Sequence, residues 1–178
     1  MQTNIALIGF MGTGKTAVGK VLARKLQMDF IEVDALIEMR AKMTIPQIFE
    51  QGGEIAFRDL EIEVTKILAI EKRSVIACGG GFVLNRINVD RIRQNSIIVY
   101  LTASPSVTLK RVSSQAGQRP LLDVSDPLST IREMIKNRKP YYEQVADITI
   151  NTSKLSTEAV ANIIIEKLKE NENFDWPE

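Results

Sequence analysis

The stretch that decides the fold is Gly9-Phe10-Met11-Gly12-Thr13-Gly14-Lys15-Thr16. It fits the P-loop pattern, in which two glycines five positions apart are followed by Lys and Ser or Thr. A short apolar run, Ile5 to Ile8, precedes it, and apolar residues at three- and four-residue spacing follow it. That periodicity indicates a helix. The motif therefore lies between a strand and a helix.

This position suits the binding of a phosphate group. A glycine-rich turn can wrap backbone N–H groups round a phosphate, while the following helix directs its positive end at the same anion. In a P-loop the Lys reaches the β- and γ-phosphates and the hydroxyl of the last residue meets Mg²⁺. The sequence thus predicts a nucleoside triphosphate, bound by a contiguous group of residues: Gly12, Thr13, Gly14, Lys15, Thr16 and Ala17.

Two other interpretations of this stretch of sequence stay open. A turn of small residues between a strand and a helix can be purely structural. The series Gly12-x-Gly14-x-x-Ala17 also satisfies the looser dinucleotide fingerprint, with Glu32 and Asp34 as candidate ribose ligands. A dinucleotide loop has no use for Lys15 or Thr16, however, so the triphosphate interpretation accounts for more of the stretch.

The amino-acid composition narrows the possible classes of protein. The chain has 178 residues, 44% of them hydrophobic, which favours one domain spanning residues 1–178. The net charge is only +1, so no nucleic-acid-binding face is predicted. Cys78 is the one cysteine, and no apolar run reaches the length of a membrane span. We therefore expect a soluble cytoplasmic protein that binds neither nucleic acid nor membrane.

The absence of histidine has chemical consequences. Without it the chain lacks the usual general base near neutral pH and the commonest ligand of transition metals. Any proton transfer then falls to a carboxylate, and any metal should be a hard, oxygen-bound ion such as Mg²⁺.

Strand-like and helical segments alternate along the chain. After the first strand, further strands are predicted at 29–33, 74–78, 96–101 and 146–150. Alternation of this kind predicts an α/β fold in three layers, a five-stranded parallel sheet with helices on both faces. A helix starting at Thr44 should stop at Gly52-Gly53, a longer one should run over 54–72, and Pro140 should kink or end the helix that begins at 127.

Several candidate site residues lie at strand ends and in loops. Asp34 follows the second strand at the carboxyl edge, where ligands bind in open α/β sheets, although it could equally cap the next helix. Arg58 could be a ligand or a helical partner of Glu54 or Glu61. Gly79-Gly80-Gly81 frees the backbone for close approach to a ligand. The remaining candidates are Arg111, Arg119 in the long loop at approximately 113–126, and Arg138.

Taken together, these pieces resemble shikimate kinase, a family within the P-loop kinases that resemble nucleoside-monophosphate kinases. The resemblance rests on the P-loop, the acidic pair Glu32 and Asp34, and the order and spacing of four later motifs. These are Gly53-Glu54-x-x-Phe57-Arg58, Gly79-Gly80-Gly81, Arg119-Pro120-Leu121-Leu122 and Arg138-x-x-Tyr141-Tyr142.

The resemblance implies a role for each matching residue. It implies that Asp34 binds the substrate hydroxyl and acts as base, that Arg58 and Arg138 grip the shikimate carboxylate, and that Gly80 contacts shikimate through its backbone. The acid-binding region would cover approximately residues 34–62. Residues 113–126 would form a mobile lid whose Arg119 reaches the ATP phosphates, and Arg111 would stack on adenine.

One position departs from the family pattern. The family has Asp-x-Asp at the end of the second strand, where this chain has Glu32 as the first acid. In the family that carboxylate helps to hold Mg²⁺ through water, beside the direct ligand that matches Thr16. The longer side chain keeps a carboxylate available for a hard metal ion but does not favour direct coordination by Glu32.

The activity that follows is ATP-dependent phosphorylation of the 3-hydroxyl of shikimate, with Lys15, Asp34 and Arg119 as catalytic residues. The products would be shikimate 3-phosphate and ADP, in the route to chorismate and aromatic amino acids. We expect a monomer whose partners are small molecules. Two alternatives stay open: a kinase of another hydroxylated acid, gluconate first, and a GTP-hydrolysing switch, which usually carries an Asn-Lys-x-Asp tetrapeptide that this sequence lacks.

Overall fold

Five strands form one sheet in the order β2-β3-β1-β4-β5 in this computed structural model, which describes residues 1–114 and 125–177. The strands are β1 (Asn4–Ile8), β2 (Asp29–Glu32), β3 (Ser74–Ala77), β4 (Ser96–Thr102) and β5 (Ile148–Asn151). Every neighbouring pair is parallel. Ile5 of the central strand pairs with Val75 on one side and Ile97 on the other.

Seven α-helices connect or flank these strands within the described ranges. They are α1 (Lys15–Leu26), α2 (Val33–Ala41), α3 (Ile45–Leu68), α4 (Arg86–Arg93), α5 (Pro105–Ser113), α6 (Pro127–Val145) and α7 (Thr157–Lys169). A short 3₁₀ turn, Phe82–Leu84, follows the glycine triplet. No helix in these ranges has both the length and the apolar content needed to cross a membrane.

The sheet separates two apolar layers because successive side chains of a strand point to opposite faces. Ile5 and Leu7 of β1 pack with α1 and α7 on one face. Ala6 and Ile8 pack with α2, α3, α4 and α6 on the other. The predicted three-layer α/β fold with a parallel five-stranded sheet is therefore confirmed.

The predicted interruption at the glycine pair is confirmed, whereas two helix ends were predicted wrongly. Helix α3 consists of two helical stretches that meet at a kink at Gly53, whose backbone angles of φ 67° and ψ −166° are not helical. The second stretch extends to Leu68, not to the predicted Lys72. It ends before Lys72 because Leu68 is the last buried residue, and Ile70 beyond it is 77% exposed.

Helix α6 runs past Pro140 to Val145, although proline removes a backbone donor and disfavours a helix interior. The turn beyond it is held by Tyr142, which is fully buried and stacks on Tyr100 of β4 with ring centroids 4.9 Å apart. Tertiary packing thus overrides the local signal. The predicted lid at approximately 113–126, with Arg119, lies largely outside the described residues.

Candidate active site

The P-loop turns sharply between β1 and α1. Gly14 has φ 98°, a left-handed conformation that favours glycine, and Lys15 opens the helix. The Lys15 ammonium donates to the carbonyl oxygens of Gly9 and Phe10, both at 2.9 Å. The Thr13 hydroxyl donates to the Phe10 carbonyl at 2.8 Å. The loop is therefore closed on itself, with the amino end of α1 facing the cleft.

Hard oxygen donors lie beside this loop. Glu32, at the end of β2, shares a hydrogen bond with the Thr16 side chain. Burial raises the pKa of Glu32 above its usual value, and the nearby charge of Asp34 raises it further, while the Thr16 contact opposes the shift. In the described ranges no three acidic, Cys or His side chains form a metal cluster. A hydroxyl with one or two carboxylates does suit Mg²⁺, which keeps most of its waters and takes the rest of its ligands from phosphates.

Arg58 of α3 is held by two carboxylates of its own helix. Its Nη1 donates to both oxygens of Glu61 at 3.2 and 3.1 Å, and its Nε and Nη2 donate to Glu54 at 3.3 and 3.2 Å. The predicted helical pairing is thus confirmed, and it does not exclude a ligand role. Glu61 is fully buried and also accepts from Asn88 at 3.0 Å. Burial raises the pKa of Glu61, while the charge of Arg58 acts in the opposite direction.

The glycine triplet after β3, residues 79–81, lies beside both Asp34 and Arg58. A Cβ on Gly81 would lie 2.3 Å from Arg58 Nη2, so only glycine leaves space for the guanidinium. A Cβ on Gly79 would lie 3.1 Å from an oxygen of Asp34. The triplet therefore brings Asp34 and Arg58 close to the same short segment of backbone.

Arg138 reaches this segment from α6. Its Nη1 lies 3.4 Å from the Gly80 carbonyl oxygen, and its guanidinium lies over the Phe10 ring, 5.6 Å from the centroid. The Tyr142 hydroxyl, one helical turn further on, donates to the same Gly80 oxygen at 2.5 Å. A P-loop side chain thus contacts the arginine predicted to bind the acid.

Arg111 approaches the P-loop from α5. Its Nη1 donates to the Gly12 carbonyl at 3.1 Å and to the Thr152 hydroxyl at 3.0 Å, and its Nη2 donates to the Thr152 carbonyl at 2.9 Å. These contacts use the edges of the guanidinium. Its flat faces are what stacking requires, so the predicted contact with adenine is compatible with them.

One cleft of about 1610 Å³ joins these groups. That volume exceeds the usual range of a single small-molecule pocket, roughly 300–1,000 Å³, and leaves space for two substrates. All the sequence-predicted site residues within the described ranges line it: Gly12, Thr13, Gly14, Lys15, Thr16, Ala17, Glu32, Asp34, Arg58, Gly80, Arg111 and Arg138. Arg119 lies outside those ranges, and its role stays a prediction.

The residues that support the site are not evident from the sequence motifs. The sequence predicts Glu61 only as a surface partner of Arg58, yet it lies on the apolar side of α3 with Phe57, Val64 and Leu68. A carboxylate within an apolar helical stripe is the signal that should have revealed its burial. Nothing in the sequence pointed to Asn88, since its contact with Glu61 joins positions 27 apart.

Comparisons with known proteins agree with this arrangement. A family model described as shikimate kinase matches residues 11–169. A shikimate kinase from Thermodesulfovibrio yellowstonii is 47% identical over 164 residues, which are 92% of this chain and 94% of that protein. The structure of shikimate kinase from Acinetobacter baumannii in complex with shikimate has TM-score 0.90 and 37% identity, covering 97% of this chain and 96% of its own.

A second solved structure is also similar. Shikimate kinase from Aquifex aeolicus has TM-score 0.82 and 35% identity, covering 96% of this chain and 98% of its own. The residues matched by the family model include α1 and the helices that carry Arg58 and Arg138. This chain therefore belongs to the shikimate kinase family.

Proposed function

We propose that this protein transfers the γ-phosphoryl group of ATP to the 3-hydroxyl of shikimate, giving shikimate 3-phosphate and ADP in the route to chorismate and aromatic amino acids. The observation that carries the proposal is the single cleft that joins Lys15 to Arg58 and Arg138. It unites a cradle for a triphosphate with two cations suited to a carboxylate. The Acinetobacter baumannii relative was solved with shikimate.

The nucleotide half would hold ATP by backbone and charge. The N–H groups of residues 12–17 at the amino end of α1 surround the phosphates, and Lys15 exchanges its contacts with Gly9 and Phe10 for phosphate oxygens. Arg111 would stack on the adenine with its flat face. Arg119 would neutralise charge on the transferring group, as an arginine supplied within the same chain does in other phosphoryl-transfer enzymes.

Mg²⁺ is the metal that the donor set fits. The Thr16 hydroxyl would hold it directly and Glu32 would hold it through water, which matches the contact between these two side chains. When bound, the ion neutralises negative charge on the phosphates. The side chains around it keep the nucleotide in place.

The acid half would fix shikimate by its carboxylate. Arg58 and Arg138 offer planar forks of N–H donors, and each charge-assisted bond contributes about 1.5–3 kcal/mol. The Gly80 backbone would contact the same substrate. Asp34, against Gly79, would orient the 3-hydroxyl and accept its proton as the oxygen attacks phosphorus. Exclusion of water by the lid would protect ATP from hydrolysis.

A cytoplasmic location and a monomeric state complete the proposal. Cys78 is a free, buried thiol, as is common in a reducing compartment. Light scattering during size-exclusion chromatography would test the monomeric state, with one peak near 19.9 kDa expected.

A coupled assay of ADP release tests the activity. We expect turnover with ATP, Mg²⁺ and shikimate, and none when gluconate replaces shikimate. Omission of the acid measures background hydrolysis, and substitution of GTP for ATP tests the switch alternative. Turnover with gluconate alone, or preference for GTP without need of an acid, would overturn the proposal.

A further inference from the structure

Helix α6 contacts the glycine triplet with two side chains one turn apart. Arg138 Nη1 lies 3.4 Å from the Gly80 carbonyl oxygen and the Tyr142 hydroxyl lies 2.5 Å from it. An N–H···O bond is about 2.7–3.2 Å long and an O–H···O bond about 2.5–3.0 Å, so the arginine contact is long and the tyrosine contact has the length of a formed hydrogen bond. Tyr142 is therefore the main donor to this carbonyl.

Tyr142 is itself rigidly placed. It is 1% exposed, and its ring stacks on Tyr100 with an interplanar angle of 19°. Burial raises the pKa of Tyr142 to about 12, so its hydroxyl keeps its proton throughout the neutral range. The Arg138 side chain opposes this shift by its charge and by a hydrogen bond to the phenol oxygen, so the two side chains are also in direct contact. The phenol is a permanent hydrogen-bond donor fixed by the core.

The Gly80 carbonyl would need another donor if this hydroxyl were absent. The carbonyl is only partly buried, so loss of its main donor costs about as much as one typical hydrogen bond contributes, and the Arg138 guanidinium is the nearest alternative donor on α6. Closing the gap from 3.4 Å would draw Arg138 towards the protein backbone and away from the cleft. The tyrosine contact keeps the arginine available to a ligand.

We propose that Tyr142 is a positioning residue for the acid site: by satisfying the Gly80 carbonyl, its hydroxyl leaves the Arg138 guanidinium available to the carboxylate of the substrate. This inference rests on the proposed function. It assigns to Tyr142 an effect on the acid that should leave the nucleotide untouched, because Tyr142 is buried and is not one of the residues that line the cleft.

The first test is Tyr142→Phe, which keeps the stacked ring and removes only the hydroxyl. We expect the KM for shikimate to rise about five- to tenfold, the size of one hydrogen bond, while kcat and the KM for ATP change less than about twofold. Tyr100→Phe is the matched control, since it removes a hydroxyl from the other ring of the same stack. It should leave all three constants unchanged. Equal effects of the two variants, or a rise in both KM values after Tyr142→Phe, would overturn the proposal.

A double-mutant cycle tests whether the effect passes through Arg138. Arg138→Met alone should raise the KM for shikimate, and adding Tyr142→Phe should then change it less than about twofold. Independent, multiplicative effects would show that Tyr142 does not act through Arg138. Wild-type turnover with shikimate, measured first, separates failure of this inference from failure of the proposed function.

A third test uses the wild-type protein and requires no substitution. NMR with labelled tyrosine should show a slowly exchanging hydroxyl proton on Tyr142 that shifts when shikimate is added. A hydroxyl proton that exchanges rapidly with water, or that does not respond to shikimate, would contradict the assignment.

Discussion

The two halves of the cleft are built in different ways. In the nucleotide half, Lys15 and Thr13 contact carbonyls only three to six positions earlier in the chain. In the acid half, Arg58 comes from α3 and Arg138 from α6, and the contact of Arg138 with Gly80 joins residues 58 positions apart. The phosphate cradle is thus encoded by one short stretch, whereas the acid site depends on how distant elements pack. Substitutions should therefore have sharply separated effects on the two ligands.

The largest effect is expected from Lys15→Ala in the nucleotide half of the cleft. Loss of the ammonium should lower phosphoryl transfer by about 10²- to 10³-fold or more, since a charge aimed at the transferring group is lost. The fold should persist, because the contacts of Lys15 with Gly9 and Phe10 are those that ATP would replace. Single-turnover kinetics and thermal unfolding measure the two effects.

A matched control lies on the same helix. Lys25→Ala removes an ammonium from the last turn of α1, where Lys25 pairs with Glu158 at 3.0 Å. It should leave transfer unchanged. Turnover retained by Lys15→Ala, or lost equally by Lys25→Ala, would refute the assignment of the phosphate cradle.

Arg58→Ala should weaken binding in the acid half of the cleft and leave the nucleotide half unchanged. We expect the Kd for shikimate to rise about 10- to 100-fold, the equivalent of one charge-assisted contact, with ATP affinity unchanged. The free energy of unfolding should also fall, because buried Glu61 would lose its cation. Calorimetric titration with each ligand measures the first effect and urea unfolding the second.

Arg58→Lys refines this test because it keeps a positive charge beside Glu61 but loses the planar fork. It should recover more of the stability than of the affinity for shikimate. An unchanged Kd for shikimate in Arg58→Ala would contradict the acid site.

Gly81→Ala should give a smaller effect on the same ligand. Gly81 has φ −100°, so alanine fits the backbone, but its Cβ would lie 2.3 Å from Arg58 Nη2. The flexible end of the arginine should move aside, with about a tenfold rise in the KM for shikimate and little change in Tm. The KM for ATP is the internal control, since the three atoms nearest to a Cβ on Gly81 all belong to the Arg58 guanidinium. A normal KM for shikimate in Gly81→Ala would show that Arg58 does not need this position.

The smallest effect concerns pH and Glu61. Its folded pKa is raised above the ordinary 4.5 by burial, so the folded protein binds this proton more tightly than the unfolded chain does. The free energy of unfolding should therefore decrease as pH rises from about 4.5 through the folded pKa, and then level off. The affinity for shikimate should change in the opposite direction, because ionised Glu61 holds Arg58 in place.

Measurement of the KM for shikimate and of urea midpoints at successive pH values would reveal both trends, each a few-fold or less. Glu61→Gln should flatten them. If the KM for shikimate still rises at low pH in Glu61→Gln, the titrating group is not Glu61.

The same contrast explains what the sequence could predict. The P-loop and the five parallel strands follow from a motif and apolar runs, which are patterns of neighbouring positions, and the residues lining the cleft follow from the order and spacing of motifs that the family shares. The burial of Glu61 and the contact of Tyr142 with Gly80 arise only when separate elements meet. The helix beyond Pro140 was missed for the same reason, since the Tyr142–Tyr100 stack that supports it joins α6 to β4.

The kink in α3 has a consequence for engineering the acceptor. Gly53 adopts a backbone conformation that side chains rarely tolerate, and it separates the capped first part of α3, with Phe49, from the part that carries Arg58. The exposed positions of residues 45–52 are therefore the place to reshape the cleft beside the acceptor. Any such graft must retain glycine at the corner, the buried Ile48 and the contact of Phe49 with Phe57, over whose ring the Arg58 guanidinium lies.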